Sequence, residues 1–285
     1  MLPPERPSLQ RKAHCVSRRP VSRDISGQMI FLGTGTSVGV PAIGCGCAVC
    51  TSDNPRNRRT RCGLALGLPG GNLLIDTPPD LREQLLRESI GLVHAVLYTH
   101  EHADHIFGLD DLRLMQFYLG GPVPLYCEPQ VEARIRKSFD YAFSSADGLH
   151  TGAVPQLQMH TIGLEPFDLL GAHVVPVRLE HGPRVQVLGF RFGNVAYCTD
   201  TNAIPRESME KLQGLDVLVL DCLRREPHAT HFGLEEAVAV AQQLRPQRTL
   251  LTHISHDLEY DEVNRSLPPH VELAYDGLSV TLGRM

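Results

Sequence analysis

Residues 98–105 read YTHEHADH and crowd three histidines and an aspartate into six positions. His100 and His102 follow an apolar run, AVLYT, that is typical of a buried strand. Because residues two apart in an extended chain point the same way, these two imidazoles can bind one ion together. Asp104 and His105 come one step later and are expected to point to a neighbouring position. The pattern therefore predicts two adjacent metal ions.

Further ligands are expected at the ends of other apolar runs, because one short loop cannot complete two coordination spheres. VVPVRLEH ends at His181, NVAYCTD at Asp200 and RTLLTH at His253. These strand ends would converge at one edge of the sheets, where the carboxylate of Asp200 is suited to bridge two ions. Two metals about 3.5–4 Å apart can share a hydroxide and clamp a phosphoryl oxygen.

A second kind of metal site is predicted around the sequence CGCAVC. Cys45, Cys47 and Cys50 offer three thiolates in six residues, and a structural zinc needs a fourth ligand. His256, three residues after His253, can turn towards these cysteines and complete a closed Cys₃His site. The alternative is a group of buried free thiols beside a turn. The remaining cysteines are scattered singly and are expected to be small core residues: Cys15, Cys62, Cys127, Cys198 and Cys222.

Short strand-like runs outnumber helical ones, but helices interrupt both halves of the chain. The strand-like runs span 29–34, 64–68, 71–76, 95–100, 123–127, 157–162, 173–179, 189–193, 195–200, 216–221, 248–253 and 278–283, and helical periodicity covers 79–90, 108–118, 129–141, 205–213 and 234–244. This alternation predicts an α/β fold, a four-layer αβ/βα sandwich of two mixed sheets with external helices. We expect one such domain over residues 28–285, with the least periodic stretch, 138–155, as a lid or a surface excursion.

Composition limits the class of protein. The chain has 285 residues, 42% of them hydrophobic and 21% charged, with a net charge of −5. No apolar run approaches the ~18 residues of a membrane span, and eight cysteines without a secretory signal favour a reducing, cytoplasmic location. Residues 1–27 carry six basic and two acidic side chains, which predicts a flexible basic tail, a transit-like peptide or an over-long start. The acidic remainder argues against an extended nucleic-acid surface, and a homodimer is compatible with the sequence.

His100-Glu101-His102-Ala103-Asp104-His105 resembles the signature of the metallo-β-lactamase superfamily, and LGTGTSVGVP (32–41) resembles the opening strand and turn of that superfamily. The resemblance covers about residues 29–285. It implies the metallo-β-lactamase sandwich and two divalent ions, zinc or manganese. It assigns one ion to His100, His102 and His181, the other to Asp104, His105 and His253, and the bridging position to Asp200.

The combination GVPAIGCGCAVC…THISH further resembles the carbon–phosphorus lyase accessory phosphodiesterases, which hydrolyse ribose cyclic phosphates. That resemblance implies a structural zinc at Cys45, Cys47, Cys50 and His256. It also implies a phosphodiesterase acting on a small cyclic or nucleotide-derived phosphodiester. His231, in HATHFGLEEAV, matches a histidine that serves there as general acid or transition-state stabiliser, with His228 as the competing candidate. Asp104 is expected to be catalytic as well as a ligand, and Asp221 to orient a ligand histidine or to cap.

Two alternative functions remain. Transfer-RNA 3′-end processing endonucleases share LGTG, the complete histidine cluster and a sequence like Thr199-Asp200-Thr201, but usually carry a long RNA-binding arm, for which no matching insertion is found. Proteins of quinone-cofactor synthesis share the cysteine pattern and would be non-catalytic binding proteins; they tend to have a degenerate histidine cluster. One of the arginines that follow the cysteine loop is a candidate to contact phosphate: Arg56, Arg58, Arg59 or Arg61.

Overall fold

The computed structural model describes residues 19–144 and 152–283. In chain order its strands are β1 (Gln28–Gly33), β2 (Gly63–Leu68), β3 (Gly71–Ile75), β4 (Ala95–Leu97), β5 (Val123–Cys127), β6 (Leu157–Thr161), β7 (Phe167–Leu169), β8 (Ala172–His181), β9 (Val185–Phe192), β10 (Val195–Cys198), β11 (Val217–Asp221), β12 (Arg248–Thr252), β13 (Val271–Leu273) and β14 (Ser279–Thr281). The helices are α1 (Leu81–Arg87), α2 (Ala103–Ile106), α3 (Met115–Leu119), α4 (Pro129–Ser138), α5 (Arg206–Lys211), α6 (Leu234–Leu244) and α7 (Tyr260–Ser266). Short 3₁₀ helices cover Pro55–Asn57, Leu109–Leu114 and Asp140–Ala142.

The strands form two mixed sheets with matching organisation. One has the order β14-β1-β2-β3-β4-β5-β6 and the other β13-β12-β11-β10-β9-β8-β7. In each sheet one half is antiparallel and the other half is parallel. Because β3, β4, β8, β10, β11 and β12 end at a common edge, the polar residues that follow them are brought together there.

Three apolar layers hold the sandwich together. Side chains such as Phe31 and Leu73 of the first sheet meet Phe190 and Tyr197 of the second between the sheets. A second cluster lies between the first sheet and α1, α2 and α4, and a third lies between the second sheet and α6 and α7. Helices therefore cover both outer faces, and the predicted four-layer αβ/βα sandwich is confirmed.

The packed domain begins earlier than residue 28. Ile25 is 1% exposed and belongs to the apolar layer under the first sheet. Ser26 forms a β-bridge with Gly67, and the Arg23 amide donates to the Ser89 carbonyl at 2.7 Å. Residues 21–27, placed in the tail by the sequence, thus pack onto the domain, because their backbone finds partners there. Residues 1–18 of the predicted tail lie outside the described residues.

Several short elements were not predicted: β7, β13, α2 and α7. Each has three to seven residues, too few to show a clear period. The predicted lid over 138–155 is described only at its ends, where Asp140–Ala142 forms a 3₁₀ turn; residues 145–151 lie outside the described ranges. Among the described residues, no helix is long and apolar enough to cross a membrane.

Candidate metal centre

Three residues turn sharply where strands end at the common edge. Asp76 and His253 come directly after β3 and β12, and Asp200 comes two residues after the end of β10. Their backbone φ angles are 67° for Asp76, 59° for His253 and 53° for Asp200. Non-glycine residues in this left-handed region cost of order 1–3 kcal/mol and cluster at functional sites. These strained turns direct all three side chains towards the histidines that follow β4 and so bring the polar groups of the site together.

The first candidate metal site, or first metal site, consists of His100, His102, His181 and Asp200, whose potential ligand atoms all lie within 4.8 Å of one another. His100 Nε2 is 2.9 Å from His102 Nδ1 and 3.8 Å from Asp200 Oδ2. His100 is fully buried, His102 is half-buried, and both Asp200 and His181 are at most 5% exposed. The predicted pairing of His100 and His102 across two residues is therefore present in the geometry.

The second candidate metal site, or second metal site, is the predicted set of Asp104, His105, Asp200 and His253. His105 Nε2 lies 3.4 Å from Asp104 Oδ2 and 3.4 Å from Asp200 Oδ2. His253 Nε2 lies 3.6 Å and 3.3 Å from the same two oxygens. Both Nε2 atoms are buried and have no hydrogen-bond partner. Such orphaned nitrogens, converging with two carboxylates, fit a divalent cation.

Three of the imidazoles, those of His105, His181 and His100, are oriented through Nδ1. His105 Nδ1 contacts Asp76 Oδ2 at 2.7 Å, and His181 Nδ1 contacts the Thr230 carbonyl at 2.7 Å. Since a carboxylate and a carbonyl only accept, both Nδ1 atoms donate, and Nε2 is left as the electron-pair donor. His100 Nδ1 is 3.0 Å from Thr99 Oγ1. This arrangement of outer partners is characteristic of metal-binding histidines.

The electrostatics of the second site favour positive charge. Burial opposes protonation of His253, but the carboxylates of Asp200, Asp104 and Asp221 outweigh it and raise its pKa to about 9. The pKa of His105 is also raised, because neighbouring negative charges, chiefly that of Asp200, outweigh the effect of burial. The buried Asp200 has a lowered pKa because the neighbouring imidazoles outweigh desolvation. A cluster that stabilises cations on its imidazoles also attracts metal cations.

His231 lies against both metal sites. Its ring stacks on His253 at 4.6 Å and meets the His181 ring edge-on at 4.6 Å. Its Nδ1 is 3.1 Å from Asp221 Oδ2, which also accepts from the Phe232 amide. Asp221 Oδ1 lies 3.6 Å from His253 Nδ1. Asp221 thus orients His231 while it faces a candidate metal ligand.

The cysteine cluster, Cys45, Cys47, Cys50 and His256, is assembled as the spacing predicts. His256 Nδ1 is 3.2 Å from Cys45 Sγ and 3.4 Å from both Cys47 Sγ and Cys50 Sγ. The Cys50 amide donates to Cys47 Sγ and is the main cause that lowers the pKa of Cys47 to about 6. Four converging donors, one of them readily ionised, fit a tetrahedral Cys₃His zinc site.

A family model described as a β-lactamase superfamily domain matches residues 71–254. The chain belongs to the metallo-β-lactamase superfamily. A crystal structure of a new diphosphatase from the PhnP family is 45% identical to this metallo-β-lactamase-fold chain, with a TM-score of 0.83, and the match covers 89% of this chain and 96% of that one. The predicted resemblance is confirmed, and the protein is a hydrolase of this fold.

Two further relatives of this superfamily member differ in their described roles. An octanoyltransferase of Porphyromonas gingivalis is 37% identical over 89% of this chain, but the chain spans about half (51%) of that protein's length. Zinc-bound PqqB from Methylobacterium extorquens has a TM-score of 0.74 at 21% identity, and the match covers 90% of this chain and all of PqqB (100%). At that identity PqqB supports the fold alone.

The four arginines after the cysteine loop do not form a common face of this metallo-β-lactamase-fold protein. Arg59 is 1% exposed and bonds backbone carbonyls. Arg61 pairs with Asp80, and Arg56 lies over two tyrosine rings. Arg58 is exposed, and among the described residues its side chain forms no hydrogen bond or ion pair. Arg59 is therefore not the arginine of this set that could contact phosphate, because its guanidinium is buried and bonded to carbonyls.

Two residues of the site were not singled out from sequence. Asp76 ends GNLLID, the same strand-end signal that identified Asp200, so it was detectable. Cys62 was expected to be a core thiol; it is indeed buried, but its Sγ lies within 4.8 Å of ligand atoms of His105, Asp200 and His253. It comes just before β2, with no spacing relation to the histidine cluster, so no local pattern could have placed it there.

Proposed function

We propose that this hydrolase is a two-metal phosphodiesterase that cleaves a small phosphodiester of the ribose cyclic phosphate or nucleotide-derived type. The observation that carries the proposal is the position of Asp200. Its Oδ2 lies 3.8 Å from His100 Nε2 in the first metal site and 3.3 Å from His253 Nε2 in the second. One carboxylate facing both sites is what a bridged binuclear centre requires.

Histidine and aspartate ligands suit zinc or manganese at this centre. When bound, two such cations neutralise the non-bridging phosphate oxygens and lower the pKa of water, so that hydroxide is available near neutrality. Asp104 has the side chain most exposed among the ligands of the second site, 12% against 2% for His253 and Asp200. To its carboxylate we assign, besides holding an ion, the orientation of the attacking water.

The leaving alkoxide needs a proton, and we assign its delivery to His231. Asp221 holds His231 Nδ1, so that Nε2 carries the transferable proton when the ring is charged. Proton transfer by a positioned side chain contributes typically ~10²–10⁴-fold to the rate.

The cysteine cluster is proposed to hold one structural zinc. All four ligand positions are supplied by protein, so the site has no open position for substrate. A zinc ion held there would link the loop after β1 to the segment after β12. Cys45 and His256, at the two ends of this link, are 211 positions apart in the sequence.

The direct test is hydrolysis by zinc- or manganese-loaded protein of bis(p-nitrophenyl) phosphate and ribose cyclic phosphates, with Asp200→Asn as the inactive control. A diphosphate ester belongs in the same panel, because the relative at 45% identity is described as a diphosphatase. Turnover of a phosphodiester supports the proposal. Turnover of the diphosphate alone, or of none, would contradict it.

Two alternatives predict other outcomes. An RNA-processing endonuclease would cleave precursor transfer RNA in preference to small esters. Within the described ranges, the longest irregular connection, between β1 and β2, holds the three cysteines of the cysteine cluster, not an RNA-binding arm. A non-catalytic binding protein like those of quinone-cofactor synthesis would bind ligand at full metal occupancy without hydrolysis. The complete set of ligand side chains favours the hydrolase over that alternative.

A further inference from the structure

Arg59 is a buried arginine held by backbone carbonyls. It is 1% exposed and among the largest fully buried side chains. Its Nη1 donates to the Ser255 carbonyl at 2.7 Å, and its Nη2 donates to the Leu258 carbonyl at 2.7 Å and to Asn57 Oδ1 at 3.1 Å. Within the described ranges, no carboxylate lies within salt-bridge distance of it. A buried charge without an ion-pair partner is costly, which calls for a specific role.

The two carbonyls belong to a segment that serves two metal centres. Segment 253–258 begins with His253, a candidate ligand of the second metal site, and contains His256, a candidate ligand of the cysteine cluster. Between them, the Ile254 amide donates to the Thr34 carbonyl at 2.8 Å. A shift of this segment would therefore move one ligand of each centre together.

We propose that Arg59 is a positioning residue that couples the two metal centres. Its hydrogen bonds hold segment 253–258 so that His253 faces the second metal site while His256 faces the cysteine cluster. Metal binding at either centre then favours the geometry needed at the other. The inference rests on the metal sites of the proposed function but not on any substrate. If Arg59 had only a structural role, its replacement would lower the free energy of unfolding but leave the metal affinities of the folded protein unchanged.

The test compares Arg59→Met and Arg59→Lys with the matched control Arg58→Met, whose side chain is exposed. Folding is checked by circular dichroism at the assay temperature. Binding of Mn²⁺ to the catalytic centre is measured by calorimetry, and zinc release from the cysteine cluster by a chromophoric chelator. Loss of partners that orient metal ligands typically weakens metal binding by about 10–100-fold. We expect that loss in Arg59→Met, an intermediate loss with faster zinc release in Arg59→Lys, and wild-type behaviour in Arg58→Met.

A second substitution perturbs segment 253–258 through the cysteine cluster. Cys47→Ser, which disables the cysteine cluster, should weaken Mn²⁺ binding at the catalytic centre, and its effect should be less than additive with that of Arg59→Met. Folded Arg59 variants with wild-type affinities at both centres would overturn the inference. If both Arg59 variants fail to fold, unchanged Mn²⁺ affinity in Cys47→Ser overturns it and weakened affinity supports it. Absence of phosphodiester turnover would contradict the proposed function. The metal affinities of the variants would still show whether the two metal centres are coupled.

Discussion

Replacing His231 by glutamine tests the assignment of the proton donor. Glutamine retains a polar side chain of similar length but cannot transfer a proton near neutral pH. His231 is 8% exposed and its Nδ1 lies 3.1 Å from Asp221 Oδ2, so the wild-type ring is held in one orientation. We expect His231→Gln to lower kcat for a ribose cyclic phosphate by ~10²–10⁴-fold. At 1.36 kcal/mol per factor of ten, this is about 2.7–5.4 kcal/mol of barrier.

The leaving group distinguishes proton donation from other roles. An alkoxide leaving group needs a proton, whereas p-nitrophenolate is stable enough to leave without one. The loss of kcat in His231→Gln should therefore be large for ribose cyclic phosphates and small for bis(p-nitrophenyl) phosphate. Metal content should equal that of the wild type, because His231 belongs to neither proposed catalytic metal site.

Two results would refute this reasoning. An equal loss of kcat for both substrates would show that His231 does not protonate the leaving group. A loss of bound metal would instead make His231 a ligand, together with Asp221 and His253, whose potential ligand atoms also lie within 4.8 Å of one another. His228→Gln is the matched control, since the His228 ring is 5.5 Å from His231 and partly exposed; it should behave like the wild type.

Three further predictions concern the metals and the metal-free protein. Asp200→Asn, which removes the shared charge, should leave at most one catalytic ion bound, as elemental analysis can show; two bound ions would contradict the bridging role. Cys47→Ser should lose about one equivalent of zinc and unfold at lower temperature; an unchanged zinc content and melting temperature would mean the cluster holds no zinc. In metal-free protein the raised pKa of His253, about 9 against an ordinary value of about 6.5, stabilises the fold below pH ~6.5, and this contribution is lost as pH rises through ~9. Urea unfolding should therefore give a lower free energy at pH 9.5 than at pH 6.5, with a smaller difference in His253→Ala, and an equal difference in both proteins would contradict the assignment.

The sequence was sufficient for most of the candidate ligand set, because its members lie at strand ends. Apolar runs that stop at His181, Asp200 or His253 show both where a strand ends and which side chain follows it. Parallel strands with a common direction then bring those ends together. The same reasoning would have found Asp76, which ends a run of the same kind.

Tertiary contacts account for what the sequence did not reveal. Arg59 stands in a run of arginines that is typical of a solvated face, and only the folded chain shows that carbonyls of residues 255 and 258 enclose it. Cys62 likewise comes near the second metal site through the pairing of β2 with β1 and β3, not through any local pattern. Burial of single residues in loops depends on distant segments that no periodicity describes.

The most direct test of the central claim is to titrate Mn²⁺ into protein freed of its catalytic metals while following the initial rate of ribose cyclic phosphate hydrolysis. If Asp200 bridges two ions that act together, the rate should stay low until the first equivalent has bound and then rise to its maximum with the second. Full activity at one equivalent would contradict the two-metal mechanism, and no hydrolysis at any metal content would contradict the phosphodiesterase assignment.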